Sequence, residues 1–254
     1  MKRVVFNQKG GVGKSSITTN LAAISAIRGL KTLVIDLDPQ CNSTHYLLGE
    51  NAAHTQTDIR DFFEQMLSFQ LKSAGPDEFV HETPYENLFL IPSNPDITDL
   101  QAKLESKHKI YKLRDALNQL DDYDAIYIDT PPAFNFFTLS ALVAAERCLI
   151  PFDCDEFARQ ALYSLLDNVH ETRQDHNDLL QVEGIVVNQY QPRATLPQKM
   201  VADLVAENLP MLNSRISSSV KMRESHNESR PLIHMAPNHK LTLEFVALFD
   251  ELHP

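Results

Sequence analysis

The chain has 254 residues, of which 43% are hydrophobic, and a chain of this size can bury one large core without requiring a second domain. Its formal charge of −11 at pH 7 excludes a uniformly basic surface for nucleic acid. The three cysteines form no C-x-x-C pair and no apolar run approaches the roughly 20 residues that span a bilayer, so we expect a single cytoplasmic domain with free thiols over residues 1–254.

The first predicted strand, over residues 4–7, leads into a glycine-rich loop and then a helix over residues 15–28. The loop reads Lys9-Gly10-Gly11-Val12-Gly13-Lys14-Ser15-Ser16. Glycines allow successive backbone N–H groups to point at phosphate oxygens, and the helix presents its positive end to them. The pattern predicts a nucleotide site whose contacts are Gly10, Gly11, Val12, Gly13, Lys14, Ser15 and Ser16. Lys14 adds a full positive charge that serves catalysis, and Ser15 is the expected ligand of Mg²⁺.

A second lysine stands at the start of this loop. The general pattern has glycine five residues before Gly13, whereas this chain has Gln8 there, followed by Lys9. Because Lys14 already neutralises the phosphates and the turn aims Lys9 outward, we expect Lys9 to reach a nucleotide held by a partner subunit. There it would stabilise charge during phosphoryl transfer. A surface lysine without this role is the alternative.

The second predicted strand, over residues 32–36, leads into two carboxylates. Asp36 and Asp38 lie two residues apart, and strand periodicity places them on one side. A P-loop enzyme needs a group that orients the attacking water and oxygen ligands near the metal. We therefore assign Asp38 to the water and Asp36 to the outer shell of the metal. A simple turn at Asp38-Pro39 is the alternative.

A later strand, over residues 125–129, again delivers an acid to its end. Asp129 is the expected Walker B carboxylate, which holds magnesium directly or through water. The following Pro131-Pro132 ends the strand and turns the chain beside the γ-phosphate. A turn role before proline is the alternative for Asp129.

Short apolar runs alternate with helix-length segments, which predicts an α/β fold, a single-domain P-loop NTPase. Predicted strands occupy residues 4–7, 32–36, 88–91, 125–129, 148–152 and 185–188. Predicted helices occupy residues 15–28, 97–120, 137–145, 157–174, 198–208 and 241–252. This alternation is typical of a mostly parallel twisted sheet flanked by helices on both faces, with ligands beyond the carboxyl ends of the strands. Residues 50–86 are interpreted as a helical excursion on the surface.

These segments resemble the ParA/MinD group of deviant Walker A ATPases, and more closely the ParA-type partition ATPases. The resemblance covers nearly the full length of the chain. It rests on Asn7-Gln8-Lys9-Gly10-Gly11-Val12-Gly13-Lys14-Ser15, Asp36-Leu37-Asp38-Pro39-Gln40, Ile128-Asp129-Thr130-Pro131-Pro132, Phe157-Ala158 and Gly184-Ile185-Val186-Val187-Asn188.

The resemblance implies an ATP-sandwich homodimer in which Lys9 of each subunit contacts the nucleotide of the other. It also implies slow hydrolysis of ATP with Mg²⁺, stimulation by a ParB-like protein or cargo adaptor, and ATP-dependent, non-specific binding to nucleoid DNA. Asn188 matches the family's position that recognises adenine. Its amide can both donate to and accept from the edge of the base. A strand-end turn is the alternative for this residue. Such a protein segregates plasmid or chromosome DNA, or positions another cargo.

Basic residues concentrate in one segment of this acidic chain. Residues 190–240 carry a net charge of +3 and the remainder −14. By resemblance, Arg193 and Lys221 are expected to contact DNA. The family's Pro-Arg-Asn-Val-Arg segment reads Ser217-Ser218-Ser219-Val220-Lys221 here, so we expect Arg215 or Arg223 to replace the missing arginine. A few phosphate contacts per subunit would give weak, salt-dependent binding. Ordinary solvated charges are the alternative.

Other classes share this scaffold. A membrane-cycling spatial regulator like MinD needs a basic amphipathic helix at its C-terminus, whereas residues 243–252 are amphipathic and acidic, so no membrane partner is expected. The nitrogenase iron protein needs cluster cysteines after the Walker B region, and residues 130–139 have none. Cobyrinate amidating synthetases normally carry a further glutamine-hydrolysing domain, for which this chain has no room. Because the loop begins at Gln8, an N-terminal helix-turn-helix is not expected either.

Overall fold

The computed structural model describes residues 1–68, 73–154, 158–191 and 195–253, and in these ranges eight strands form one sheet. The strands are β1 (Lys2–Val5), β2 (Thr32–Asp36), β3 (His81–Glu82), β4 (Leu88–Ile91), β5 (Ala125–Asp129), β6 (Arg147–Asp153), β7 (Gln181–Tyr190) and β8 (Met211–Ser217). Their order across the sheet is β3-β4-β2-β5-β1-β6-β7-β8. Each neighbouring pair is parallel except β3 with β4, which is antiparallel. The predicted mostly parallel sheet is confirmed.

Helices connect the strands and cover both faces of the sheet. The α-helices are α1 (Lys14–Ile27), α2 (Asn42–Leu48), α3 (Ile59–Gln65), α4 (Gln101–Ser106), α5 (Lys112–Leu117), α6 (Phe136–Ala144), α7 (Ala158–Asp175), α8 (Thr195–Ala206), α9 (Val220–Asn227), α10 (Leu232–Met235) and α11 (Lys240–Leu252). The 3₁₀ helices are Gly49–His54, Pro76–Phe79 and Pro95–Leu100. Within the described ranges, none of these helices has the length and apolar character that a bilayer span requires.

Two apolar cores lie on opposite faces of the sheet. Successive strand residues point to opposite faces, so Ile126 and Ile128 belong to one core while Tyr127 belongs to the other. The first core is closed by side chains of α3 to α8, and the second by side chains of α1, α2, α10 and α11. Because both faces are covered, the central strands are buried along their whole length.

Apolar runs located the central strands well. The strands β2, β4 and β5 have the predicted bounds, and β2 and β5 are fully buried. The sequence prediction missed β3, which has two residues, and β8, whose sequence Met-Leu-Asn-Ser-Arg-Ile-Ser is mixed and mostly half-buried. Both lie at the edges of the sheet, where one-sided burial leaves no continuous apolar run.

The single helix predicted over residues 97–120 is wrong. The chain instead forms the 3₁₀ helix Pro95–Leu100, then α4 and α5. Between α4 and α5, His108 has a φ of 51°, in the left-handed region, and the Lys109 N–H donates to the Leu104 carbonyl at 3.1 Å. Periodicity does not detect this break because neither glycine nor proline marks it and the apolar side chains on both sides face the same core.

The segment over residues 50–86 is not confined to the surface. Its helix α3 begins at an Asp58 capping box and buries Ile59, Phe62 and Phe63 in the first core. The Phe63 ring meets the Phe136 ring edge to face, with centroids 5.7 Å apart. This segment therefore closes one end of the core rather than lying outside it.

The free side of β8 is covered by carboxylates of α11. Glu251 accepts hydrogen bonds from the backbone N–H groups of Asn213 and Ser214, at 2.7 and 2.8 Å. Glu244 accepts from the Ser217 N–H at 2.8 Å. The helix is held against the sheet by Phe245 and other apolar side chains of the second core. An edge strand is thereby supplied with hydrogen-bond partners from its own chain.

Candidate active site

The glycine-rich loop joins the end of β1 to the start of α1. Gly11 and Gly13 have φ values of 77° and 89°, in the left-handed region that glycine adopts without strain. Gly13 immediately precedes α1, and its carbonyl accepts the Ile17 N–H at 2.9 Å. The loop therefore has the turn and the helix N-terminus on which the predicted phosphate site depends.

A cavity of about 470 Å³ lies over this loop, which is the size of a small-molecule site. Its lining residues are Gly10, Gly11, Gly13, Lys14, Ser15, Ser16, Asp38, Gln40, Asn42, Tyr46, Pro132 and His226. The predicted contacts of the loop thus converge on one space, together with Asp38. Val12 is the exception, because its side chain is buried beneath the loop.

Lys14 is a buried cation facing two carboxylates. Its Nζ donates to the Lys9 carbonyl at 3.3 Å. Burial lowers the pKa of Lys14 below 10.5, although the charges of Asp129 and Asp38 oppose this shift. A phosphate group in the cavity would supply further negative charge to this ammonium.

Lys9 is placed outside the cavity, as predicted, but it contacts its own chain. Its Nζ lies 3.3 Å from Asp153 Oδ2 at the end of β6. Its backbone N–H donates to Asn7 Oδ1 at 2.9 Å, and Asn7 Nδ2 donates to the Pro151 carbonyl at 2.7 Å. For Lys9 to reach a partner's nucleotide, the ion pair with Asp153 would have to open.

Asp38 is the carboxylate that faces the cavity. It is 5% exposed, and its Oδ1 accepts the Gln40 N–H at 3.0 Å. Burial raises the pKa of Asp38, while the Gln40 hydrogen bond and the Lys14 charge lower it. Its position beside Lys14 is compatible with the predicted role of orienting water.

Asp36 has different surroundings from those predicted. It does not line the cavity; instead Oδ1 accepts the Asp38 N–H at 3.0 Å, and Oδ2 accepts both the N–H and the hydroxyl of Thr44 at 2.8 Å. Because these contacts occupy both oxygens, the geometry assigns Asp36 to fixing α2 and the Asp38 loop. A place for Asp36 in the outer shell of a metal stays a prediction.

Asp129 and Ser15 are the groups that fit a magnesium ion. Asp129 Oδ2 accepts the Ser43 hydroxyl at 2.7 Å, while its Oδ1 is buried without a hydrogen-bond partner. The Ser15 side chain lies beside this carboxylate, where it opposes the rise that burial causes in the Asp129 pKa. An unpaired buried carboxylate oxygen next to a hydroxyl suits a hard cation with oxygen ligands. In the described part of the chain, three or more His, Cys, Asp or Glu side chains nowhere converge on a metal site, so the ion would also need phosphate or water oxygens.

Asn188 lies against the glycine-rich loop rather than in the open cavity. Its Nδ2 donates to the Val12 carbonyl at 2.8 Å, and Gln189 Nε2 donates to the Gly11 carbonyl at 2.8 Å. A Cβ atom on Gly13 would lie 2.1 Å from Asn188 Nδ2. The end of β7 thus fixes the loop from below, and adenine recognition by Asn188 stays a prediction.

Two aromatic residues of the cavity were not found by sequence reasoning. Tyr46 comes from α2 and His226 from α9, and their ring centroids lie 4.8 Å apart. His226 Nε2 lies 3.0 Å from the Ser16 hydroxyl. No motif includes them, because a single tyrosine and a single histidine in separate helices carry no spacing signal.

The predicted DNA contacts have three different placements. Lys221 and Arg223 both lie on α9, where Lys221 forms an ion pair with Glu224. Arg215 lies on β8, and its guanidinium donates to the carbonyls of Leu212 and Ser214 on the same strand. Arg193 lies outside the described residues.

Comparisons with known proteins agree with this geometry. The family of AAA domains matches residues 2–182. The chromosome partitioning protein ParA of Myxococcus xanthus is 31% identical over 251 residues, which cover 98% of this chain and 86% of the relative. The chromosome-partitioning ATPase Soj of Treponema pallidum is 33% identical over 235 residues, which cover 91% of this chain and 88% of the relative.

Solved structures share the fold. Apo McdA from Cyanothece has a TM-score of 0.85 at 23% identity, covering 99% of this chain and 98% of that chain. A cobyrinic acid a,c-diamide synthase from Mycobacterium smegmatis with bound ADP and magnesium has a TM-score of 0.82 at 25% identity, covering 98% of this chain and 92% of that chain. Since the synthase chain is hardly longer than this one, chain length does not exclude the synthetase class. The identities to ParA and Soj, at 31% and 33%, are higher than the 25% identity to the synthase.

Proposed function

The chain belongs to the ParA/Soj family of chromosome-partitioning ATPases, and from this premise we propose that it binds ATP and Mg²⁺ in the cavity over the glycine-rich loop and hydrolyses the γ-phosphate. The observation that carries the proposal is the convergence of Lys14, Ser15 and Asp38 on one cavity, with the buried Asp129 carboxylate beside Ser15. The side chains needed for phosphoryl transfer are therefore all present: a cation for the phosphates, a carboxylate to orient water and oxygen ligands for the metal.

Each residue has a separate task in this reaction. The backbone N–H groups of the loop and the Lys14 ammonium hold the phosphates, and Asp38 orients the attacking water. Bound by Ser15 and Asp129, Mg²⁺ would neutralise charge on the phosphates. The bond from the water oxygen to the γ-phosphorus forms while the bond from that phosphorus to ADP breaks, giving ADP and inorganic phosphate.

Assembly and DNA binding complete the proposal. Two copies clasp two ATP molecules, and Lys9 of each copy leaves Asp153 and contacts the nucleotide of the other. The dimer presents Lys221 and Arg223 of α9, with Arg193 and Arg215, to DNA phosphates without reading sequence. Hydrolysis is slow until a ParB-like protein or cargo adaptor stimulates it. The protein is then a cytoplasmic, nucleoid-associated ATPase that segregates plasmid or chromosome DNA, or positions a cargo.

The test compares oligomeric state and DNA affinity in three nucleotide states. Light scattering and gel shifts with ATP, ADP or no nucleotide should give a dimer and retarded DNA with ATP alone. Lys14→Ala should lose nucleotide binding and both responses, because the phosphates lose their buried cation. Lys221→Ala should dimerise normally and bind DNA more weakly. Equal DNA affinity in the three nucleotide states would contradict the proposal that ATP controls DNA binding.

A MinD-like membrane cycle is the alternative function, and α11 argues against it. Its apolar side chains Leu241, Phe245, Leu248, Phe249 and Leu252 are buried in the second core. A helix whose apolar face is already packed has little to insert into lipid. Sedimentation with anionic liposomes and ATP should leave the protein in the supernatant, and ATP-dependent pelleting would reverse the choice.

A further inference from the structure

Around Ser16 the cavity wall contains a chain of polar contacts between neighbouring helices. Asn20 Nδ2 donates to the Ser16 carbonyl at 2.8 Å and to the Tyr46 hydroxyl at 3.2 Å. The Tyr46 hydroxyl contacts the Ser225 hydroxyl, whose oxygen lies 2.6 Å from the Arg230 carbonyl to which it donates. Asn20, Tyr46 and Ser225 are all nearly inaccessible to solvent. Buried polar contacts therefore join α1, α2 and α9 at this wall.

His226 adjoins this set of contacts and lines the cavity together with Ser16 and Tyr46. It follows Ser225 on α9, and its ring meets Tyr46 edge to face at an interplanar angle of 71°. Its Nε2 then lies 3.0 Å from the Ser16 hydroxyl. Neither the packing of the sheet nor the predicted DNA contacts need an imidazole at this position.

The direction of the Ser16 proton decides what this pair does. A hydroxyl is both donor and acceptor, and an imidazole nitrogen is one or the other according to its tautomer. When Nε2 carries the proton and donates to the Ser16 oxygen, the Ser16 hydrogen is left to point into the cavity. Negative charge in the cavity favours this arrangement, since it turns Ser16 into a donor toward an anion.

We propose that His226 is a positioning residue for the bound nucleotide: it donates to Ser16 and directs the Ser16 hydroxyl at a phosphate oxygen. The proposal rests on the proposed function, because it needs a nucleotide in this cavity. It adds a role for α9, which would contribute to the nucleotide site through His226 and to DNA binding through Lys221 and Arg223.

The test is a double-mutant cycle on the affinity for ADP and ATP, measured by calorimetry. His226→Ala should weaken the binding of both nucleotides about tenfold, because the Ser16 hydroxyl would no longer be held in place to donate to the charged phosphate. His226→Gln, which keeps an N–H donor, should stay within about threefold of the unchanged protein. In a Ser16→Ala background, His226→Ala should cost less than about a further twofold, because the group it directs is already gone.

Two further variants separate positioning from packing. His226→Phe keeps a ring against Tyr46 without a donor, so it should bind nucleotide as weakly as His226→Ala while melting like the unchanged protein. His45→Gln, an exposed histidine of the same helix as Tyr46 that does not line the cavity, is the matched control and should have no effect.

The outcomes distinguish the two proposals. If the unchanged protein binds neither ADP nor ATP, the proposed function fails and this inference fails with it. If the unchanged protein binds both but His226→Phe binds equally well, only the role of His226 is overturned. The same holds if His226→Ala costs as much in the Ser16→Ala background as it does alone, since its effect would then not pass through Ser16.

Discussion

Asp36 and Asp38 are two residues apart, yet their carboxylates have different surroundings. Asp38 faces the cavity and accepts one backbone hydrogen bond, whereas Asp36 does not line the cavity and accepts two backbone hydrogen bonds and one from the Thr44 hydroxyl. The sequence indicates that both acids come at the end of a buried strand. It does not indicate that Thr44 donates two hydrogen bonds to the Asp36 carboxylate. At this scale, residue type and spacing identify the candidates and only packing assigns their tasks.

Asp38 is expected to act on hydrolysis and not on nucleotide binding. Asp38→Asn keeps an acceptor for the Gln40 N–H but removes the charge that orients water. Phosphate release should fall about 100-fold, within the range for a group of this kind, while ATP still produces the dimer. Phosphate-release assays and light scattering on the same sample measure the two effects. Hydrolysis at the unchanged rate would remove Asp38 from the reaction.

We expect Gly13 to be irreplaceable both because of its positive φ and because Asn188 lies close to it. Gly29, which has nearly the same φ but no such neighbour, separates the two effects. Gly13 and Gly29 have φ values of 89° and 88°, but a Cβ on Gly13 would lie 2.1 Å from Asn188 Nδ2, whereas nothing lies within 4 Å of one on Gly29. Gly29→Ala should cost about 1 to 2 kcal/mol of unfolding free energy through backbone strain alone. Gly13→Ala should cost more and should also lose nucleotide binding.

Chemical unfolding and calorimetry measure both quantities for this glycine pair. Equal costs for the two variants would show that Asn188 yields to the added carbon and does not constrain the loop.

At the scale of elements, the hydrophobic pattern predicts the strands that are covered on both sides and most of the longer helices, and it fails at short or mostly polar elements. It gives β5 and the helix after the glycine-rich loop, but not β8 or α9, whose residues are mostly polar. Because the sequence prediction missed α9, it also missed His226, which this helix brings to the cavity. The motifs, in contrast, predicted the loop and Asp129 directly, since their spacing is set by the phosphate chemistry.

The neighbouring strands β2 and β5 place two buried acids side by side, and this should make stability depend on pH. Asp36 and Asp129 are register partners; burial raises both pKa values above 3.8, and the charge of Asp129 raises the pKa of Asp36 further. The folded chain therefore binds these protons more tightly than the unfolded chain. The stability they contribute is fully present below pH 3.8 and is lost as the pH rises through the raised values.

Asp129→Asn should flatten this pH dependence. The amide removes one of the two raised pKa values and the like charge beside Asp36, and its oxygen can still accept from Ser43. Between about pH 5 and pH 8, the unfolding free energy of both proteins should decrease. The decrease should be smaller in the variant, by at least about 1 kcal/mol. The exposed Asp99→Asn serves as control and should keep the original slope. Identical slopes for all three proteins would mean that the pair is not the cause.

At the scale of the whole molecule, the parallel sheet explains why distant segments form one site. The adjacent strands β1 and β5, with β2 beside β5, deliver the loop, Asp129 and the Asp36–Asp38 segment to the same edge. This convergence was predictable, because parallel strands end on one side. The contact between Lys9 and Asp153 was not, since it depends on the neighbouring strand β6 and on side-chain direction.

The carboxylates that cover β8 also limit how copies of this protein can aggregate. A ribbon that grows by adding backbone to backbone would have to displace Glu244 and Glu251 from three N–H groups and leave their charges without those partners. A filament that forms through the β8 edge is therefore expected to consist of intact globules joined through their side chains. Such a filament should dissolve in salt or on dilution and should not stain with amyloid dyes.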